Sequence, residues 1–590
     1  MRSPLLAGIL LVSIILAGVL GAFFLLRGVG ATAPIDSLPA DTSFLVRVGN
    51  PATLWRDLAR LRSASADDEV MHALAQELTR RLAERGLPVP PPTADLLRVF
   101  DREVILAVVP GEPNAPAGLA LVADLGLAGP EAEQRMRRIV QSSFPSESPS
   151  IWIARVHHGR DYLTLRPAGG GGGVSVAGLK GLGLVATNGA TLRRLLDTID
   201  GRAGPLRSSS AYRATRDRLG RRAGVLAWAS GPWIVDRLEG SFTSARTRRA
   251  LRLMGMGSVR GVGVEIDLER PTPGVPGMFR ERQFVAMRDE RRGVTEQLLS
   301  GPARKPHLSR LVPAGLPFHL VLSCSGLDVL SARLPEIVSS ATGADRAELR
   351  SRIAGAQEFM AMDLGSGLLA AMGDELVVGF GRASPYPRGP EETSALDMPV
   401  VGAIGVRNRA SVSRVMTRLD GLARALSAYE SIVRDGQAMT AYRLDALAPL
   451  TPAYRLGGGS LVAASSPELL ATALNAAQRH GSQADQPEAE RLLERLPDRS
   501  HALLVADTAR LAAPVAARAL LPAALRFLVQ PPGGFPLTAA TARMTSTGLQ
   551  LDWISPLSPS LLLGLYLTSE EPSGAGVPEG AATDDTAIPY

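Results

Sequence analysis

The residue types that could do chemistry in this chain are few and scattered. His157 and His158 are adjacent and come nearest to a metal pair. Consecutive side chains on a strand point to opposite faces, so their rings are expected to diverge rather than share an ion. The remaining histidines, His72, His307, His319, His480 and His501, lie far apart, and none falls in an H-E-x-x-H frame. A single cysteine, Cys324, rules out an intrachain disulfide and a multi-thiolate zinc site. Its setting, Leu320-Val321-Leu322-Ser323-Cys324, reads as a buried small hydrophobe on a strand.

The five-glycine run Gly169–Gly173 has the composition of a phosphate loop but the wrong sequel. Phosphate loops end in Lys-Ser/Thr at the start of a helix, whereas here Val174-Ser175-Val176 reads as a strand, so a plain loop is expected. No G-x-S-x-G nucleophile elbow occurs, and Ser325 reads as a helix cap. Asp124, Asp267, Asp507 and Asp552 fall in or at the ends of expected strands. Paired carboxylates cleave glycosides only at defined separations, and turn or strand-end roles are simpler for these four. The arginines of Ser244–Met254 (Arg246, Arg248, Arg249, Arg252) belong to a basic helix face that is solvated or meets lipid head groups. No aromatics interleave with them, so nucleic acid is not an expected partner. No catalytic, cofactor-binding or metal-binding residue is therefore assigned, and no cofactor is expected.

The chain of 590 residues exceeds what one hydrophobic core serves, so two or more domains must position whatever it carries. Hydrophobic residues make up 45%, which fits a folded protein, but aromatics only 4%, so the core must be built from Leu, Val and Ala. Its net charge of +7 comes from 64 basic and 57 acidic residues dispersed along the chain, which is not the stripe of a nucleic-acid binder.

Residues Leu5 to Leu26 carry no charge and are closed by Arg27. Such a span matches the roughly 20 residues that cross a bilayer, and exceeds the about 7–15 of a secretory apolar core. Arg2 ahead of it favours a cytoplasmic amino terminus. The expected location is single-pass in the inner membrane with the bulk in the periplasm; the alternative is secretion after cleavage at Ala31-Thr32-Ala33. No cysteine follows the run, so no lipobox is present. The apolar Leu561–Leu567 is too short to span and reads as a last strand or a tail.

Periodicity and turn signals then give a strand at Phe44–Val48 and a helix capped by Asn50 with Pro51 first. A helix near Val70–Arg85 follows, then strands Val104–Val109 and Gly118–Asp124 and a helix from Gly129-Pro130 through Val140. Further on come a Trp152–His158/Asp161–Arg166 hairpin, a strand at Leu182–Ala186, an Asn188-capped helix to Ile199, and a strand at Gly224–Ala229. Val262–Leu268 and Phe279–Ala286 form a finishing hairpin.

The same programme recurs: strand Phe318–Ser323, helix Asp328–Ser340, strands Glu375–Gly379 and Val400–Val406, and an Asn408-capped helix to Leu426. Strand Ser460–Ala464, a helix opening at Ser466-Pro467-Glu468, and strands Ala502–Asp507 and Leu549–Ile554 complete it. Pro39 recurs at Pro313, Glu103 at Glu375, Leu184 at Leu461 and Leu226 at Leu504, with separations differing by only a few residues. That constancy points to one module used twice. The expected divisions are an anchor or signal segment (1–33), a first module (34–270), a charged linker containing a hairpin strand (271–307), a second module (308–556) and a tail (557–590). The fold expected is α+β: two tandem related modules, each a mostly antiparallel sheet with some mixed pairing and helices on one face.

The pattern Leu38-Pro39-Ala40-Asp41-Thr42-Ser43-Phe44-Leu45-Val46-Arg47-Val48 with Asn50-Pro51 and Leu54-Trp55 resembles the bacterial exported family known as DUF3352. Its partial return at Leu311–Ser323 and the Leu-Val-Ala element before each capped helix support the resemblance. The second copy departs from the pattern at Gly315 and Leu316. The resemblance implies a secreted or anchored protein and supplies no catalytic residues. The expected function is an anchored envelope protein of non-enzymatic type that binds a protein partner or an apolar, lipidic ligand. The alternatives are a hydrolase using strand-end carboxylates and a structural spacer.

Overall fold

The computed structural model describes residues 33–62, 102–111, 117–142, 150–167, 173–220, 224–241, 245–269, 278–288, 293–325, 345–360, 367–381, 399–426, 428–443, 451–479, 481–507, 537–556 and 558–560, with scattered positions between 327 and 339. The apolar run Leu5–Leu26, the expected helix near Val70–Arg85, most of the expected Asp328–Ser340 helix and the Leu561–Leu567 stretch lie outside the described residues. No helix among the described residues is long and apolar enough to cross a membrane.

The described strands of the first half are β1 (Phe44–Val48), β2 (Val104–Val109), β3 (Gly118–Asp124), β4 (Ser150–His157), β5 (Arg160–Pro167), β6 (Val174–Leu179), β7 (Leu182–Ala186), β8 (Val225–Ser230), β9 (Val259–Glu269) and β10 (Met278–Met287). Those of the second are β11 (Phe318–Ser323), β12 (Met372–Phe380), β13 (Val400–Val406), β14 (Tyr429–Arg434), β15 (Gln437–Tyr442), β16 (Ala453–Gly457), β17 (Ser460–Ala464), β18 (Ala502–Asp507), β19 (Leu537–Thr545) and β20 (Gly548–Ser555).

Their pairing gives one order across the first half, β4-β5-β6-β7-β3-β2-β1-β8-β9-β10. The second half repeats it as β14-β15-β16-β17-β13-β12-β11-β18-β19-β20. The two inner ends, β10 and β20, pair with each other from Phe279↔Ser555 to Ala286↔Gly548. The result is α+β with a continuous antiparallel sheet of twenty described strands. One expectation about strand pairing is corrected here. The described strand pairs are all antiparallel rather than mixed, because hairpins and return helices bring each strand back beside its neighbour. The two sheets are also joined, since each module would otherwise leave β10 or β20 as an open edge. The hairpin strand expected within residues 271–307 is β10, and it lies at the centre of the molecule.

Turn chemistry accounts for the recurrence. The β4–β5 turn is His158-Gly159, with φ of 48° and 77°, and the β14–β15 turn is Asp435-Gly436, at 47° and 75°. The β6–β7 and β16–β17 turns are Lys180-Gly181 and Gly458-Gly459, again positive at both positions. Two left-handed residues in succession match the natural twist of a tight hairpin, which is why glycine sits second in each.

Helices lie on both faces, not on one as expected. The Gly189–Ile199 helix buries Leu192, Leu195 and Leu196 against Ile105, Val122 and Leu184. Each such leucine contributes about 1.5–3 kcal/mol of burial. The Gly129–Ser142 helix packs on the opposite face, where Met136 sits over Gly183 and Val185 joins its cluster. Strand alternation separates the two sets: Leu184 faces one helix and Val185 the other. At Gly178 the same helix approaches so closely that an added methyl would collide with the Gly129 carbonyl and the Glu133 amide. In the second half, Val462 packs with Leu470 of the Pro467–Arg479 helix, and Leu461 with Val412 of the Arg409–Ala425 helix. The expected caps are in place: Asn188 accepts from Thr191 N at 2.7 Å, Asn408 from Ser411 N at 3.2 Å, and Ser466 from Leu469 N at 3.2 Å.

At the joint, Met278 and Gly548 each open the second strand of a hairpin, opposite Glu269 and Thr545 respectively. Four residues further along each strand stand Arg282 and Asp552, which are directly opposed in the register. They occupy equivalent positions in the two halves, so the pseudo-two-fold axis of the sheet runs through this pair. Arg282 Nε donates to Asp552 Oδ1 at 3.0 Å, and Gln550 Nε2 donates to Asp552 Oδ2 at 2.8 Å. On the other face Glu281 is fully buried and accepts from the Ser558 hydroxyl and, at 2.8 Å, from the Ser560 hydroxyl. The chain beyond β20 thus folds back over the seam. Arg495 of the second half adds a bond to Glu269 of β9, at 2.8 Å.

Candidate functional site

The β4–β5 hairpin ends in the turn His158-Gly159 and leans on the last turn of the Gly189–Ile199 helix. Arg160 fixes it there, donating from Nε at 3.3 Å and Nη2 at 3.0 Å to the two carboxylate oxygens of Asp200. The Arg160 hydrogen bond holds the Asp200 carboxyl below the usual carboxylate range, against the opposing effect of burial.

Beside this clamp, His157 Nε2 lies 2.8 Å from Asp197 Oδ1, and His158 Nε2 lies 3.9 Å from the same oxygen. The two imidazole centroids are 4.2 Å apart, with planes inclined at 56°. One donor atom from each of the three side chains falls within 4.8 Å of the other two. The divergence expected for consecutive strand residues therefore does not occur. His157 ends the strand, but His158 is the first turn residue, and its left-handed φ swings its ring back over the same side. The cue was in the sequence: His-Gly between two alternating runs is a tight-turn signal, and a turn residue does not obey strand alternation.

Among the described residues, the equivalent turn of the second half holds no such set. There Arg434 precedes Asp435-Gly436 and pairs with Glu468. The fold closes this hairpin on its helix without histidines, so the imidazoles of the first half are not dictated by packing.

The strand-end acids lie on separate strands. Asp124, at the end of β3, accepts from Gly126 N at 3.0 Å, and Asp267, on β9, accepts from Gly224 N at 2.9 Å. Asp507 closes β18, while Asp552 is engaged at the joint. A different carboxylate, Asp420, gathers two phenols: Tyr442 donates to it at 2.7 Å and Tyr454 at 2.8 Å. Burial is the main cause raising both phenol pKa values, so both remain donors. Sequence reasoning missed this cluster, because its three members lie on one helix and two strands.

Cys324 is buried beside a cavity of about 120 Å³ lined also by Ser325, Met372 and Arg407, and burial pushes its thiol up. A second cavity, of about 240 Å³, lies between Arg252, Ser258 and Gly293. The basic segment is helical over Ala245–Leu253, with Arg249 exposed. Of the glycine run only Gly173 is described, and β6 follows it directly.

Among the described strands, the outer ends of the sheet are β4 and β14. Ile151 and Val156 on β4 are 68% and 69% exposed, and Val433 on β14 is 74% exposed. Compared with known proteins, the chain matches no family model, and no curated protein sequence or solved structure is significantly similar to it.

Proposed function

We propose that this chain is a membrane-anchored envelope protein of non-enzymatic type, built by duplication of one module, that binds a protein partner at the outer ends of its sheet. The observation that carries this reading is the exposure of Ile151 and Val156 on β4, an eight-residue edge strand. Edge strands are normally blunted by Lys, Pro or bulges, because their free N–H and C=O groups template further pairing. On β4 a single Arg, Arg155, is the only charged residue before the terminal histidine. A partner strand added there gains main-chain hydrogen bonds and covers the aliphatic side chains. The cavities beside Cys324 and Ser258 are smaller than the roughly 300–1,000 Å³ of sites that enclose small ligands, which weighs toward the protein partner over a lipid.

The test is capture from native membranes by the full chain and by an Ile151→Lys/Val156→Lys variant, with mass spectrometry of proteins and lipids. A protein retained by the native chain and lost with the variant is the expected result. Capture indifferent to β4, or lipid as the sole companion, overturns the reading. Alkaline carbonate extraction tests the tether. The chain is expected to stay with the membrane pellet, and release with a new amino terminus near Pro34 overturns the anchor.

A further inference from the structure

We propose that His157, His158 and Asp197 form a binding site for a borderline divalent transition-metal ion, of which Zn²⁺ is the representative. The proposal does not rest on the partner-binding reading. Two imidazoles and one carboxylate are the donor set that such ions prefer, and oxygen-seeking Mg²⁺ or Ca²⁺ would find only one suitable ligand here. His157 Nε2 and His158 Nε2 lie 2.8 Å and 3.9 Å from Asp197 Oδ1, and one donor atom from each of the three side chains lies within 4.8 Å of the other two. Ligands about 2.0–2.1 Å from a tetrahedral centre stand roughly 3.4 Å apart. Opening the first contact and closing the second, by about half an ångström each, brings both nitrogens to that separation from Asp197 Oδ1.

The surroundings favour a cation. Asp197 lies in the last turn of the Gly189–Ile199 helix, where backbone carbonyls face outward and the helix dipole is negative. Arg160, the nearby cation that would compete for Asp197, is already held by Asp200. Exposures of 18%, 48% and 27% for the side chains of His157, His158 and Asp197 leave a path for the ion while partly excluding water. Three protein ligands also leave a position open for water or a donor from another molecule. A bound ion would staple the β4–β5 hairpin to the helix beneath it.

The rival reading is a plain His157–Asp197 hydrogen bond, in which His158 is idle. Titration of the full chain, stripped of metal and affinity tag, with Zn²⁺ alone separates the two. Saturable uptake of about one equivalent is expected, together with a raised thermal midpoint. His158→Ala, at an exposed turn position, and Asp197→Asn are each expected to weaken uptake by about tenfold or more and to abolish the midpoint shift. If His157→Ala fails to fold, these two variants decide the matter. Absence of saturable uptake, or equal affinity in His158→Ala and the native chain, overturns the proposal.

Discussion

Asp552→Arg is expected to cost about 3 kcal/mol or more and to open the molecule at its centre. The substitution places the same residue at both positions on the pseudo-two-fold axis, so two guanidinium groups face each other across one rung of the ladder. Asp552 is 7% exposed and Arg282 35%, so solvent screens the repulsion only partly. The bond from Gln550 is lost as well. Asp552→Ala should cost less, about 2 kcal/mol, since it removes attraction without adding repulsion. The double variant with Arg282→Ala should show a coupling of about 1 kcal/mol. The shift in urea midpoint measures these costs, and hydrogen exchange at β10 and β20 shows where the chain opens. A change below about 0.5 kcal/mol for Asp552→Arg, or opening elsewhere, contradicts this account of the joint.

His319→Leu is expected to stabilise the protein, and most strongly in mild acid. The imidazole is fully buried on β11, flanked in the register by Gly379 and Val505, and neither ring nitrogen has a hydrogen-bond partner among the described residues. The equivalent position of the first half, second on the strand after Phe44, is Leu45. Burial lowers the His319 pKa to about 4, whereas an unfolded chain titrates near 6.5. Between these values the unfolded chain binds a proton that the folded one refuses. Stability therefore rises with pH through that window, is complete above about 6.5, and falls by about 3 kcal/mol as pH drops to 4. Leucine removes this acid penalty and relieves the orphaned nitrogens, for a gain of about 1–2 kcal/mol near neutrality. Denaturant midpoints at several pH values test it. An unchanged slope between pH 4 and 6.5 would place the ring in contact with water or a partner.

What could be read from the residues follows from how local each signal is. Strands such as Phe44–Val48, Val104–Val109 and Leu182–Ala186 are bounded by turn residues and matched to within a residue. The caps at Asn188, Asn408 and Ser466 depend on a hydroxyl or amide three residues before the amide it serves, and were legible for the same reason. β14 and β15 were missed because Tyr429–Arg434 is half polar, being the exposed end of the sheet. β19 was missed because Leu537–Thr545 carries three alanines, which disfavour strands, and its apolar and polar residues do not alternate cleanly. The recurrence of modules was legible, but their fusion through β10 and β20 was not, because pairing between strands about 270 residues apart leaves no mark in local pattern. Likewise the His157–His158–Asp197 group needs a helix some forty residues downstream of the turn.

The arrangement at the joint also dictates what opened copies would do to one another. A freed β10 meeting another β10 would set Arg282 against Arg282, and β20 against β20 would set Asp552 against Asp552. Only β10 of one copy with β20 of the next satisfies both charges. That is a head-to-tail linkage, which closes when two copies exchange reciprocally or a ring forms, and otherwise extends. Solutions heated or acidified near the unfolding midpoint should therefore yield oligomers joined through β10–β20 contacts, as exchanged dimers or longer chains, rather than through β10–β10 or β20–β20 contacts.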